Sequence, residues 1–274
     1  IMELKLWQVD AFAEKPFEGN PAAVVPLADW IADDVMQAIA GENNLSETAF
    51  LVPDQAKGAG HYRLRWFTPT VEVPLCGHAT LASAYVVLTH LQPQLSRVEF
   101  STQSGLLTVE RAEGGYLAMA LPAYSPSPHP DGDDFREALE EALSIEPQEV
   151  FKANYALAVF GSPDEILEAE SDDLVADVLA EFDEEGIIIT APGADTGFDF
   201  VSRFFVPGKG IAEDPVTGTA HAALVPFWAK RLGKAKLVAR QLSARGGTIL
   251  CEEQGERVLL KGKVAPFLEG VIRV

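Results

Sequence analysis

The sequence predicts an α+β protein made of two copies of one domain, and three observations carry that reading. Strand and helix patterns alternate along its 274 residues. A stretch with four prolines, "PAYSPSPHPDGDD" at 122–134, divides the chain nearly in half. A strand–loop–helix passage before that stretch returns after it. "RWFTP" at Arg65 matches "RFFVP" at Arg203, and "EVPLCGHATLA" at Glu72 matches "EDPVTGTAHAA" at Glu213, with Glu, Pro, Gly and two Ala coinciding in the longer pair. The expected domains are 1–121, completed by the last strand at about 266–274, and 122–274.

The elements follow in order. Strands are expected at 3–10 and 22–27, and a helix at 32–41 ends near Gly41. "ETAFLVP" and the alternating "HYRLRWF" read as strands. Residues 79–91 read as a helix stopped before Pro93, and 98–121 as a meander with glycine turns. After the proline-rich linker come a helix near 133–143, strands within 150–160, a helix near 171–180, and the strands "EGIIIT" and "FDFVSRFFV". A helix over 219–232 ends at Gly233, and 236–274 is a run of strands broken at Gly246–Gly247, Gly255 and Gly262. Arg65 and Arg203 read as surface residues of alternating strands.

Composition excludes several functions. With 47% hydrophobic residues the chain is not disordered. No apolar run approaches the ~18–20 residues of a membrane span. The first residues lack a basic region followed by an apolar core, so no signal peptide is expected. Two cysteines, Cys76 and Cys251, make no disulfide framework and suit a reducing cytoplasm; Cys251 reads as a packed, inert thiol. A net charge of −20, from 41 acidic and 21 basic residues, argues against nucleic acid and anionic membranes as partners. The five histidines show neither H-x-x-x-H spacing nor a Cys/His cluster, so no metal site is expected.

Each half drives a loop into the start of an apolar helix, at Cys76–Gly77–His78 and at Thr217–Gly218–Thr219. A helix start offers unpaired N–H groups and a positive dipole end. Gly77 and Gly218 let a ligand approach the backbone closely. Such a pair suits a small carboxylate.

Five stretches resemble the PhzF (phenazine biosynthesis-like) family of the diaminopimelate epimerase superfamily: "VDAFAEKPFEGNPAAVV", "NLSETAFL", "RWFTPTVEVPLCGHATLA", "SRFFVPGKGIAEDPVTGTAHAAL" and "RQLSARGG". The resemblance implies two pseudo-symmetric domains, each a curled, mostly antiparallel sheet or barrel around a central helix, with the active site between them. It implies an isomerase without metal, flavin or nicotinamide cofactor, and a homodimer. The glutamate of S-E-T-A-F falls on Glu47, the general acid/base; the histidine of C-G-H on His78; the aspartate of E-D-P-V-T-G on Asp214. Asn20, in G-N-P, is a substrate contact, as are Cys76, Gly77 and Gly218. Thr219 stands where the family commonly has serine.

Two thiols serve as opposed bases in diaminopimelate epimerase. Here the repeat puts Thr217 opposite Cys76, and threonine is too weak an acid to exchange a carbon-bound proton, so a two-thiol racemase is excluded. A Cys76–Asp214 or Cys76–Glu47 pair stays open; a single carboxylate, Glu47, that removes a proton and returns it elsewhere is preferred. The alternatives are an amino-acid-type epimerase or racemase, and a non-catalytic binding or regulatory protein with a relict site.

Overall fold

A computed structural model describes residues 2–207 and 211–274. Positions 208–210, inside the "SRFFVPGKGIAEDPVTGTAHAAL" stretch, lie outside the described residues. The chain forms two compact units, 1–120 with 260–274, and 121–259.

In the first unit β1 (Glu3–Ala11) lies antiparallel to β2 (Asn20–Pro26), and β2 runs parallel to β3 (Glu47–Pro53). β3 pairs antiparallel with β4 (His61–Phe67). β4 then takes the short β5 (Glu72–Val73) and, in parallel, β6 (Arg97–Thr102), which leads through β7 (Gly105–Arg111) to β8 (Leu117–Pro122). The helix α1 (Asp33–Asn43) packs Met36, Ile39 and Ala40 onto Phe50 and Phe67. The helix α2 (Gly77–Val86) is buried on nearly every side, which explains its lack of an amphipathic stripe. Its polar residues bond within the helix: Thr80 Oγ1 donates to Cys76 O at 2.6 Å and Ser83 Oγ to Ala79 O at 2.7 Å. A single π turn, Val87–Leu91, closes the segment.

The second unit repeats the pattern. It begins with β9 (Ser127–Pro128), the helix α3 (Gly132–Leu143) and β10 (Glu149–Lys152). β10 is antiparallel to β11 (Ala156–Val159); the helices α4 (Pro163–Glu168) and α5 (Asp173–Glu181) follow. β11 runs parallel to β12 (Ile187–Pro192), which is antiparallel to β13 (Phe200–Val206). β13 takes β14 (Ile211–Glu213) and, across the buried helix α6 (Gly218–Leu232), the parallel β15 (Lys236–Gln241). β16 (Gly247–Gln254) continues it, and β17 (Arg257–Gly262) follows where the chain passes back to the first unit's residues. Each unit is thus a mostly antiparallel, curled sheet about one buried helix. The last strand, β18 (Val264–Arg273), pairs with β1 from Glu3↔Arg273 to Ala11↔Val264, while β9 pairs with β10.

Three expectations need correction. The stretch 122–134 is not a free linker. Pro226 lies inside α6 and has no N–H, so the carbonyl of Ala222 would lack its helical donor; Tyr124 N supplies it at 2.9 Å. His129, in the same stretch, is buried and stacks on Phe135 at 4.1 Å. The helix α4 is an addition, yet "SPDE" spells its start: Ser162 caps Glu165 N, Pro163 fills the first turn, and Glu165 Oε2 accepts from Gly161 N at 3.0 Å. Arg65 and Arg203 are not surface residues. Arg65 forks onto Glu72 at 2.8 and 2.7 Å, and Arg203 forks onto Glu213 at 2.8 and 3.0 Å. Each fork clamps the turn that feeds a central helix.

Candidate active site

Three element starts meet in the first unit. Asn20 opens β2, Glu47 opens β3, and Cys76 and His78 flank the first residue of α2. The parallel register Ala22↔Glu47 sets Glu47 beside the start of β2, just past the turn at Gly19. Gly19 makes that turn possible: its φ is +65°, and a Cβ there would lie 2.1 Å from Ala11 O. This is the physical content of the "EGNP" motif.

His78 is the hub. Its Nε2 lies 3.0 Å from Glu47 Oε2, and the imidazole and carboxylate side chains are only 4% and 14% exposed. The approach is an ion pair rather than an aligned hydrogen bond, since neither atom reaches hydrogen-bond geometry. Nδ1 lies 3.2 Å from the Asn20 side-chain amide and 3.4 Å from Cys76 Sγ. Burial works against a charged imidazole, but Cys76 and Glu47 outweigh it and lift His78 well above its ordinary value. Burial, helped by Glu47, pushes the Cys76 thiol up to about 11. The two influences compete, because a protonated thiol offers the imidazole no charge. With the thiol held protonated, the Glu47 carboxylate is the partner that keeps the imidazolium. This geometry makes Cys76 a poor base near neutrality. The ligand atoms of Glu47, Cys76 and His78 lie within 4.8 Å of one another, the one such metal-sized group among the described residues. A held thiol proton and an imidazolium oppose a cation there.

Asp214, Gly218 and Thr219 stand in the second unit. Thr217, the residue before α6, turns its hydroxyl onto Asp214 Oδ2. Thr217 N donates to Gln241 Oε1 at 2.9 Å, and Gln241 Nε2 donates to Asp214 O at 2.8 Å and to Thr217 Oγ1 at 3.2 Å. Asn154 Nδ2 donates to Thr219 O at 3.0 Å. Sequence reasoning missed Gln241 and Asn154 as site-forming residues. A signal existed for each: "NPAAVV" at Asn20 aligns with "NYALAV" at Asn154, and Gln241 lies in the quoted "RQLSARGG".

The two central helices share a further property. The N-cap side chains, Cys76 and Thr217, form no cap hydrogen bond to their helices, and neither first turn holds an acidic residue. The helices α1, α3, α4 and α5 all carry Asp or Glu there. Neither buried helix therefore has an acidic residue of its own first turn to occupy its amides.

The family model described as phenazine biosynthesis-like protein (PhzC-PhzF) matches residues 9–270. The chain belongs to the PhzC-PhzF family. A member named as an uncharacterized isomerase, from Pseudomonas aeruginosa, is 48% identical to this chain over 275 residues, covering 100% of both. The crystal structure of a PhzF-family protein from Enterococcus faecalis superposes with a TM-score of 0.91 at 40% identity, covering 100% of each chain. A hydroxyproline epimerase from Agrobacterium vitis shares the fold alone, with a TM-score of 0.61 at 10% identity over 98% of this chain and 92% of that one. Among the described residues, no helix of this PhzC-PhzF protein is long and apolar enough to cross a membrane.

Proposed function

We propose that this protein is an isomerase that needs no cofactor and moves a proton on a small carboxylate-bearing substrate, with Glu47 as the acid/base group. The observation that carries the reading is the approach of His78 Nε2 to Glu47 at the start of a helix whose first turn holds no anion. Proton removal beside a carboxylate needs a base near the carbon and positive charge where negative charge develops. Glu47 supplies the first and the His78 imidazolium the second. The first-turn amides of α2, at Gly77–His78, hold the substrate carboxylate, and Asn20 orients it. Asp214 serves as a further catalytic carboxylate. The isomerase class is supported by the family and by relatives named as isomerases. A two-thiol racemase is disfavoured by Thr217 opposite a thiol that burial holds protonated.

The test is deuterium uptake. Incubated in heavy water with a panel of amino and hydroxy acids, the protein is expected to label one of them, read by mass. Glu47→Gln, which keeps size and polarity, should cut that rate by ~10²–10⁴-fold without changing the circular dichroism. Near-normal exchange in the variant removes Glu47 from the role.

A further inference from the structure

The amide of Gln241 is oriented by the groups it meets beside Asp214. Its Oε1 accepts from the backbone Thr217 N, which can only donate, so the orientation of the side-chain amide is settled by the network. Nε2 then faces Asp214 O and Thr217 Oγ1 with its two protons. A hydroxyl that has accepted one proton has its own to give, and Thr217 gives it to Asp214 Oδ2. With Asp214 ionised, and so able only to accept, the protons run from Gln241 to Thr217 to Asp214. Gln241 is fully buried in β15, Thr217 is 7% exposed, and Ser243 Oγ holds Pro215 O in the same turn at 2.7 Å.

The fold does not require this relay. The first unit builds the same strand–turn–helix passage with Val73, Cys76 and Thr102 at the three equivalent positions, as the parallel registers Tyr62↔Phe100 and Phe200↔Ala239 align them. The hydroxyl of Thr102 instead turns to Gly105 O. A turn that folds without the relay in one copy carries it in the other for the sake of the carboxylate it serves.

We propose that Gln241 and Thr217 are positioning residues that hold Asp214 ionised and aimed as a proton acceptor, an assignment that rests on the isomerase reading above. A hydroxyl donating to a carboxylate stabilises its charged form.

The test needs no substrate. Protein labelled with ¹³C-aspartate is titrated by NMR, with the Asp214 signal assigned through Asp214→Asn. Thr217→Val, which keeps the shape and deletes the hydroxyl, should move the Asp214 midpoint to higher pH, and Thr217→Ser should restore it. Gln241→Glu, which replaces the two N–H donors by a carboxylate, should move it the same way. In the unsubstituted protein the Gln241 side-chain amide should titrate with the same midpoint as Asp214, a readout that survives if a variant fails to fold. An Asp214 midpoint unmoved by either substitution, or a Gln241 amide blind to it, overturns the relay. Deuterium uptake that persists alongside such a result overturns the relay alone. Shifted midpoints without uptake on any substrate support the relay and count against the isomerase reading.

Discussion

His221 shows how one buried proton can be read from its neighbours. Its Nδ1 lies 2.8 Å from Thr217 O, a carbonyl that can only accept, so Nδ1 carries the proton. Its Nε2 is buried with no partner, and burial takes the imidazole down to about 4. The equivalent residue of the first unit, Thr80, serves the equivalent carbonyl of Cys76 with a hydroxyl. A folded value below the unfolded 6.5 means that the unfolded chain takes up the proton first. The contribution is therefore complete above pH 6.5 and is lost as pH falls toward 4. Between pH 7 and pH 5 this one group should cost about 2 kcal/mol of stability. Urea denaturation at the two pH values checks it: His221→Thr should lose most of that difference, whatever its stability at pH 7. His78 has the opposite sign. Its folded value is raised, so its contribution is complete below the ordinary imidazole range and fades as pH rises through the folded value.

The two arginine forks act at the level of the turn and the helix end. Besides gripping Glu213, Arg203 donates through Nη1 to Ile166 O at 2.9 Å and to Ala169 O at 2.5 Å. It thus ties the last carbonyls of α4 to β13. A lysine keeps the charge but has no planar fork, so Arg203→Lys leaves a partly buried carboxylate and two carbonyls under-satisfied. The expected loss is about 1–3 kcal/mol in urea denaturation. Amide exchange should quicken most over 163–168, the helix whose end the guanidinium holds. Ser162 makes the contrast. Its cap is a local signal, readable as S-P-D-E, whereas the carbonyl grip on α4 comes from a residue 34 positions or more away.

For the chain as a whole, the path of its last strand matters most. β1 has β18 along its full length on one side, from Glu3↔Arg273 to Ala11↔Val264, and β2 on the other for five pairs. Deleting 264–274 strips β1 of that partner and leaves its backbone groups without acceptors and donors. The shortened protein should lose its cooperative thermal transition over the first unit, and proteolysis should cut first within residues 1–120. A transition as sharp as that of the full chain would show that β18 is an accessory strand.

Local chemistry was legible in the chain. Alternating "HYRLRWF", the glycine after α6 and the two copies of R-x-F-x-P each act over a few residues, and their spacing is their physics. The helix pair α2 and α6 was legible for the same reason, as was the E-G-N-P turn. Sequence alone also singled out Glu47, His78, Cys76 and Asn20, without giving their mutual geometry. What joins them spans 31 residues from Glu47 to His78 and 58 from Asn20 to His78. The Gln241 relay closes over 24 residues, and Tyr124 answers a proline just over a hundred positions on. No periodicity encodes such pairs. A buried donor or acceptor takes whichever partner folding brings to it, because leaving it unpaired costs more than any local preference can return.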